Sequence, residues 1–236
     1  MPVLGFSGVH WLKNDNQQNN APVVRLISPS STKNVQWNSM ISYKISVTDK
    51  EDGISDYNEI PANEVFLKIK FIPDSTKAKT YIQWEKNNLP DSRGISLIKS
   101  FSCFTCHQVK TKLIGPSFDS IALKYPSSAI TYEKLATKIM KGSKSVWGSA
   151  EMPPHPDLSS DDAKQMVKWI FENCSDPNVN YIVGLEGVFR TQSKPVTHPE
   201  KAMYVLTASY TDHGLSNIPN SKKCSQDMII LRSSTH

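Results

Sequence analysis

Cys103-Phe104-Thr105-Cys106-His107 has the spacing C-x-x-C-H, in which two thiols can attach a c-type haem through thioethers and the adjacent histidine can ligate its iron. C-x-x-C alone also serves thioredoxin-like redox sites and half of many zinc sites. A zinc site would need a second close ligand pair, but Cys174 and Cys224 are solitary. A thioredoxin site would need a strand before the motif, where Ser92 to Phe101 reads as a short helix instead.

Electron-transfer haem iron needs a sixth ligand that stays bound in both oxidation states, and a methionine thioether favours the ferrous form. Met152, 45 residues after His107 in the proline-stiffened loop Val146-Trp147-Gly148-Ser149-Ala150-Glu151-Met152-Pro153-Pro154, is the leading candidate. A methionine beside prolines also serves as a core gap-filler. Met140 and Met166 fall within helical periodicity and read as core, while His155 would give bis-histidine ligation and a lower potential.

Three helices must position these groups. Ser92 can cap a helix carrying Ile95 and Ile98, with Gly94 offering a close-approach surface; Thr131 caps a second with Leu135, Ile139 and Met140. Ser159 and Asp162 open a third, striped by Ala163, Met166, Val167 and Ile170.

Taken in order, the haem motif, Lys112-Leu113-Ile114-Gly115-Pro116-Ser117-Phe118, Ile121 to Tyr125, Leu135 to Ile139, Gly142, Val146-Trp147-Gly148, Met152-Pro153-Pro154 and Lys168-Trp169-Ile170 make residues 92 to about 173 resemble a small bacterial class I cytochrome c. The resemblance implies an all-α fold and one covalently attached haem c. It implies cofactor contacts from Cys103, Cys106, His107, Pro116, Trp147 and Met152, with His107 and Met152 on the iron. The Pro116 carbonyl would accept a hydrogen bond from His107, and Trp147 would meet a haem propionate.

The flanks alternate with a period of two. Val23 to Ile27, Ile41 to Val47 and Val65 to Phe71 read as strands before the haem segment; Tyr181 to Phe189, Ala202 to Tyr210 and Met228 to Leu231 read as strands after it. Three strands are too few for a sandwich, so the expectation is one immunoglobulin-like β-sandwich split by an inserted cytochrome. Its parts are a flexible leader over 1–20, a first β half over 21–86, the cytochrome over 92–175 and a second β half over 179–232. Asn87 to Asp91 and Ser175 to Asn178 would be the crossings. Strands running into acidic turns at Ser46 to Gly53 and Leu206 to Asp212 resemble PKD-like or immunoglobulin-like modules of exported bacterial proteins. The whole arrangement is similar to cytochrome modules at the C-terminal end of periplasmic or surface oxidoreductases, including quinoprotein sugar dehydrogenases.

Asp49, Glu51, Asp52 and Asp212 could converge on calcium, solvated turn carboxylates being the plainer reading. Trp37, Tyr57 or Trp84 could bind glycan, or fill core. Cys174 and Cys224 could form a disulfide or stay as thiols.

With 38% hydrophobic and 21% charged residues among 236, the chain reads as a multi-domain globular protein without a transmembrane run. Its net charge is +5, and Ser92 to Ser175 holds 11 lysines and arginines against 7 acids, hence +4. Lys110, Lys112, Lys141 and Lys144 could ring an exposed haem edge and steer an acidic redox partner. Nucleic acid is not expected, because the positive charge is not gathered with aromatics on one element. Met1 to Leu12 shows no signal peptide, yet bacterial haem c is attached after export, so the expectation is a start further upstream or a segment of a longer exported polypeptide.

These readings converge on a periplasmic or surface monohaem electron-transfer protein, a module or partner of an oxidoreductase and not itself an enzyme. Its partner would be a redox protein such as a periplasmic dehydrogenase or terminal oxidase. The competing classes are a haem-based sensor or peroxidase-like protein with an open iron site, and a glycan-binding or adhesion β-module with accessory haem.

Overall fold

In this computed structural model, residues 18–31, 34–88, 93–144, 146–196, 202–218 and 220–233 are described. Period-two alternation builds β1 (Val23–Ser28), β3 (Met40–Asp49) and β5 (Phe66–Ile72), with two-residue strands β2 (Asn34–Val35) and β4 (Gly53–Ile54) between them. After β5 come, among the described residues, five α-helices: α1 (Ala78–Asn87), α2 (Arg93–Ser100), α3 (Phe118–Lys124), α4 (Ala129–Lys141) and α5 (Ser160–Cys174). Strands β6 (Val179–Val183), β7 (Glu186–Arg190), β8 (Met203–Thr211) and β9 (Cys224–Ser233) follow.

In one sheet β3 pairs antiparallel with β1, β4 and β7; the other has the order β2-β9-β8-β5-β6. Strands from both sides of the helices therefore share sheets. β5 and β6 are direct neighbours, Phe66 opposite Val183 and Lys70 opposite Val179, so the chain leaves and re-enters one sheet at adjacent strands. The inward faces, including Ile41, Tyr43, Ile45 and Val47 from one sheet and Leu67, Ile69, Leu206 and Tyr210 from the other, form one hydrophobic core.

The stretch read as one strand from Tyr181 to Phe189 is two, each in a different sheet. Gly184 has φ +130°, a backbone that continues no strand, and it turns the chain between sheets. β5 also departs from a half-buried strand. Val65, Leu67, Ile69 and Phe71 enter the inter-sheet core, while Phe66 on the opposite face belongs to the helical core and Ile72 packs near Ala78. The polar residues of that second face are also covered. Lys68 bonds the buried Glu85 of α1 at 2.8 Å, and Lys70 pairs with Asp176. Helix α1 itself had no apolar stripe strong enough to be read from the sequence.

In the helical region α2 crosses α5 at Gly94, where a Cβ would lie 2.5 Å from the Gln165 carbonyl oxygen and 2.6 Å from Trp169 Cβ. Ser159 caps α5, its Oγ accepting from Asp162 N at 3.1 Å. Thr131 is not the cap of α4: Ser128 is, and its Oγ accepts from Thr131 N at 3.2 Å. Either hydroxyl suits the sequence, and the earlier one satisfies an amide of the first turn. Ser92, Leu89, Pro90 and Asp91 lie outside the described residues, as do residues 1–17 of the leader. Asn19 and Asn20, read with that leader, are hydrogen-bonded to Asp212 and Glu51 respectively.

No disulfide joins Cys174 and Cys224. Cys174 is sealed in the helical core, where burial pushes its thiol pKa upward. Of the four carboxylates read as calcium ligands, two are engaged elsewhere: Asp52 Oδ2 accepts from Tyr210 Oη at 2.6 Å and from His213 N at 2.9 Å, and Glu51 accepts from Asn20. Among the described residues no group of three or more His, Cys, Asp or Glu side chains is arranged to hold a metal ion. Trp37 stands edge-on to Phe71 as part of the core, whereas Tyr57 and Trp84 are exposed.

Candidate haem-binding site

Cys103 opens a single turn of 3-10 helix, and the Cys103 carbonyl accepts from both Cys106 N (3.1 Å) and His107 N (2.9 Å). This turn brings both thiols and the imidazole together, and Ser102 before it adopts a left-handed backbone at φ 54°. Gly115 N returns to the Cys106 carbonyl at 2.9 Å. A Cβ on Gly115 would collide with the His107 ring, so only glycine lets this loop close behind the imidazole.

His107 Nδ1 donates to the Pro116 carbonyl at 2.7 Å. A carbonyl can only accept, so this bond fixes the tautomer and leaves Nε2 as the lone-pair donor. Phe118 stacks on the imidazole at 5.4 Å with planes 13° apart. Burial lowers the His107 pKa, against the Pro116 hydrogen bond that raises it, and so keeps the ring in the neutral, ligating form. Burial pushes the Cys103 thiol up to about 11.

Met152 comes to the site by a backbone device. Ser143 and Met152 form an isolated antiparallel bridge, with Ser143 N to Met152 O at 3.1 Å and Met152 N to Ser143 O at 2.9 Å. Gly142, at φ +80° after α4, makes the approach possible, since a Cβ there would lie 2.8 Å from the Met152 carbonyl oxygen. The Ser143–Met152 bridge is not legible in the sequence, although Gly142 stands in the pattern that carries the resemblance and a glycine directly after a helix is a cue.

Cys103, Cys106, His107, Pro116, Trp147 and Met152 all line one cleft, whose remaining walls are largely apolar. His155 does not line it; its ring meets Phe101 edge-on at 5.9 Å. Met140 packs against the helical core, and Met166 is buried in α5 while touching the cleft. Trp147 lies edge-on to Tyr125, with Lys124 Nζ 4.6 Å from its ring centre.

The lysine ring is rearranged. Lys110 donates to the Asp176 carbonyl at 3.0 Å, which ties the helical unit to the return crossing, and Lys144 pairs with Glu151 at 2.8 Å. Lys138, not among the sequence candidates, lines the cleft with Lys144. Ile114 and Val146 are exposed at its rim. Behind the cleft, Phe66 of β5 meets Phe104 at 5.2 Å and Phe104 meets Phe118 at 5.6 Å, so a file of rings runs from the sheet to His107.

The residues fit a covalently held haem: two thiols one turn apart, a neutral imidazole with Nε2 available, a glycine where the loop passes behind that ring, and apolar walls. The cytochrome c family pattern matches residues 92–172. Cytochrome c-552 of Nitrosomonas europaea is 45% identical over 74 residues, covering 31% of this chain and 72% of that protein. Cytochrome c-551 of Pseudomonas aeruginosa is 38% identical over 74 residues, 31% of this chain and 70% of that protein. The crystal structure of wild-type Nitrosomonas europaea cytochrome c552 matches at 43% identity and a TM-score of 0.31, covering 33% of this chain and 95% of that one. Both β-sheets lie outside the 92–172 match. The chain belongs to the cytochrome c family through residues 92–172, where Cys103 and Cys106 attach one haem c.

Proposed function

We propose that this chain carries single electrons between redox proteins on the external side of a bacterial inner membrane, with His107 and Met152 as the two axial ligands. The observation that carries the reading is the Ser143–Met152 bridge, which brings a thioether to the cleft that also holds His107, Cys103 and Cys106. Haem c supplies a one-electron couple when attached. Around it, Pro116 would hold the His107 tautomer, Phe118 would hold the plane of the ring, and Trp147 would meet a propionate. The apolar walls would exclude water, which favours outer-sphere transfer over substrate chemistry.

Bacterial c-type cytochromes are periplasmic, and no described helix is long and apolar enough to cross a membrane. Exposed Ile114 and Val146 beside Lys138 and Lys144 suit a partner with an acidic rim and an apolar centre, such as a periplasmic dehydrogenase or a terminal oxidase. The β part is read as an immunoglobulin- or PKD-like sandwich, its halves 21–86 and 179–232 interrupted by the cytochrome over 92–175. The adjacency of β5 and β6 supports that division. The test is carbon monoxide added to the ferrous protein: unchanged spectra together with rapid oxidation by a small one-electron dye support the carrier. Ready carbon monoxide binding would move the protein to the open-site sensor or peroxidase class.

A further inference from the structure

Two oxygen atoms where the chain enters the sheets are buried without a donor. Asn19, 4% exposed and four residues before β1, gives both amide hydrogens away, to Asp212 Oδ2 and to the Ser221 carbonyl, each at 2.8 Å. Those two acceptors fix the amide orientation, and Asn19 Oδ1 has no partner. Asp49, the last residue of β3 and 7% exposed, accepts from Glu51 N and Asp52 N at Oδ1, both at 2.8 Å. Its Oδ2 has no partner.

A third oxygen is tied to Asn19. Asp212, 1% exposed, uses Oδ1 for Gly214 N and Lys223 N, while Oδ2 receives the Asn19 amide. An ionised carboxylate oxygen with one such donor keeps a lone pair for another ligand. The segments are held side by side. Asn20 bonds Glu51 through its backbone N and its Nδ2, and Lys223 Nζ donates to the Asn19 carbonyl at 2.6 Å. Burial raises the Asp49 pKa, and the charges of Asp52 and Asp212 add to it, while two backbone hydrogen bonds oppose the shift. Negative charge is thus gathered there with acceptor oxygens left over, a costly arrangement unless a cation or a proton completes it.

We propose that Asn19 Oδ1, Asp49 Oδ2 and Asp212 Oδ2 bind a hard divalent cation of the calcium type. All three are oxygen donors, one a neutral amide, and they come from the entering chain and two strand ends rather than from one rigid element, which suits the variable coordination of calcium better than the strict octahedron of magnesium. Two carboxylates place the affinity in the weak class, a Kd on the order of 10⁻⁴ to 10⁻³ M. Asp52 is outside the set, being held by Tyr210 and His213. The cation would staple the entering chain to the end of β3 and the end of β8, fixing how that chain meets the sheets.

The test is calorimetric titration of the EDTA-treated, haem-loaded full chain with calcium chloride, beside thermal unfolding followed in the β region of the circular dichroism spectrum. Calcium at about ten times its Kd is expected to raise the melting temperature by about 3–6 °C. Magnesium at equal concentration raises it less. Asn19→Ala weakens calcium binding at least tenfold, Asp49→Asn abolishes it, and Asp52→Asn leaves it in place. Absence of binding heat and of any thermal shift at about 10 mM calcium overturns the proposal. So does a calcium response that survives both Asn19→Ala and Asp49→Asn, and so does Asp49→Asn stabilising a wild type that ignores calcium, which would assign Asp49 a proton.

Discussion

The helical and β regions encode their shapes by different means. Around the haem cleft, single positions decide: Gly94 admits the α2–α5 crossing, Gly115 clears the His107 ring and Gly142 lets Met152 return. In the sheets, a repeated alternation decides, and β3 or β8 presents several equivalent apolar residues to the core. A site organised around one cofactor depends on a few close approaches, whereas a sheet face spreads its stability over many similar contacts. The helical region should therefore respond sharply to single changes and the β region gradually.

The largest test of that contrast is Cys103→Ser combined with Cys106→Ser. Without covalent haem, a segment of about 80 residues has an incomplete core, so more than about half the helical circular dichroism should disappear while the β signal persists. Equal retention of both signals would remove the distinction. Next is Phe66→Ala, which empties the place where β5 enters the helical core and should destabilise the protein by about 3–5 kcal/mol. Denaturation followed separately by haem absorbance and by β-sheet signal should then split, the haem transition moving first.

Gly142→Ala comes third, at about 1–3 kcal/mol, since it forces a side chain onto the Met152 carbonyl and an L-residue into φ +80°. Its spectrum should show partial loss of methionine ligation, which the same change at an exposed β turn would not produce. The smallest effect is in the β region. Partial burial opposes charge on His213, but its bonds to Glu64 and Asp52 outweigh burial and raise the pKa above the ordinary 6.5. A raised folded-state pKa means this clamp is fully present below about pH 6.5 and is lost as pH rises through the folded value. His213→Gln should lower the melting temperature by a degree or two at about pH 5.5 and hardly at all at about pH 9.

The haem motif and the three helices around it were legible because ligand spacing and 3.6-residue periodicity are local properties. Most strands were legible by alternation for the same reason. What escaped notice was long-range. Nothing near Gly184 in sequence says that the strands on its two sides belong to different sheets, although a glycine within an alternating run was a cue. Lys68 and Lys70 read as a solvent face because their partners, Glu85 and Asp176, lie on the α1 helix and the return crossing. Phe66 was hidden by the same logic: its alternation assigns it to the outer face of β5, and only the fold reveals that the cytochrome covers that face.

The central claim is axial ligation by His107 and Met152, and optical spectra of the haem-loaded chain beside Met152→Ala test it most directly. A low-spin ferric spectrum with a weak far-red methionine-to-iron band, absent from the variant, is the predicted result. A high-spin wild-type spectrum, or a far-red band that persists in Met152→Ala, would contradict it.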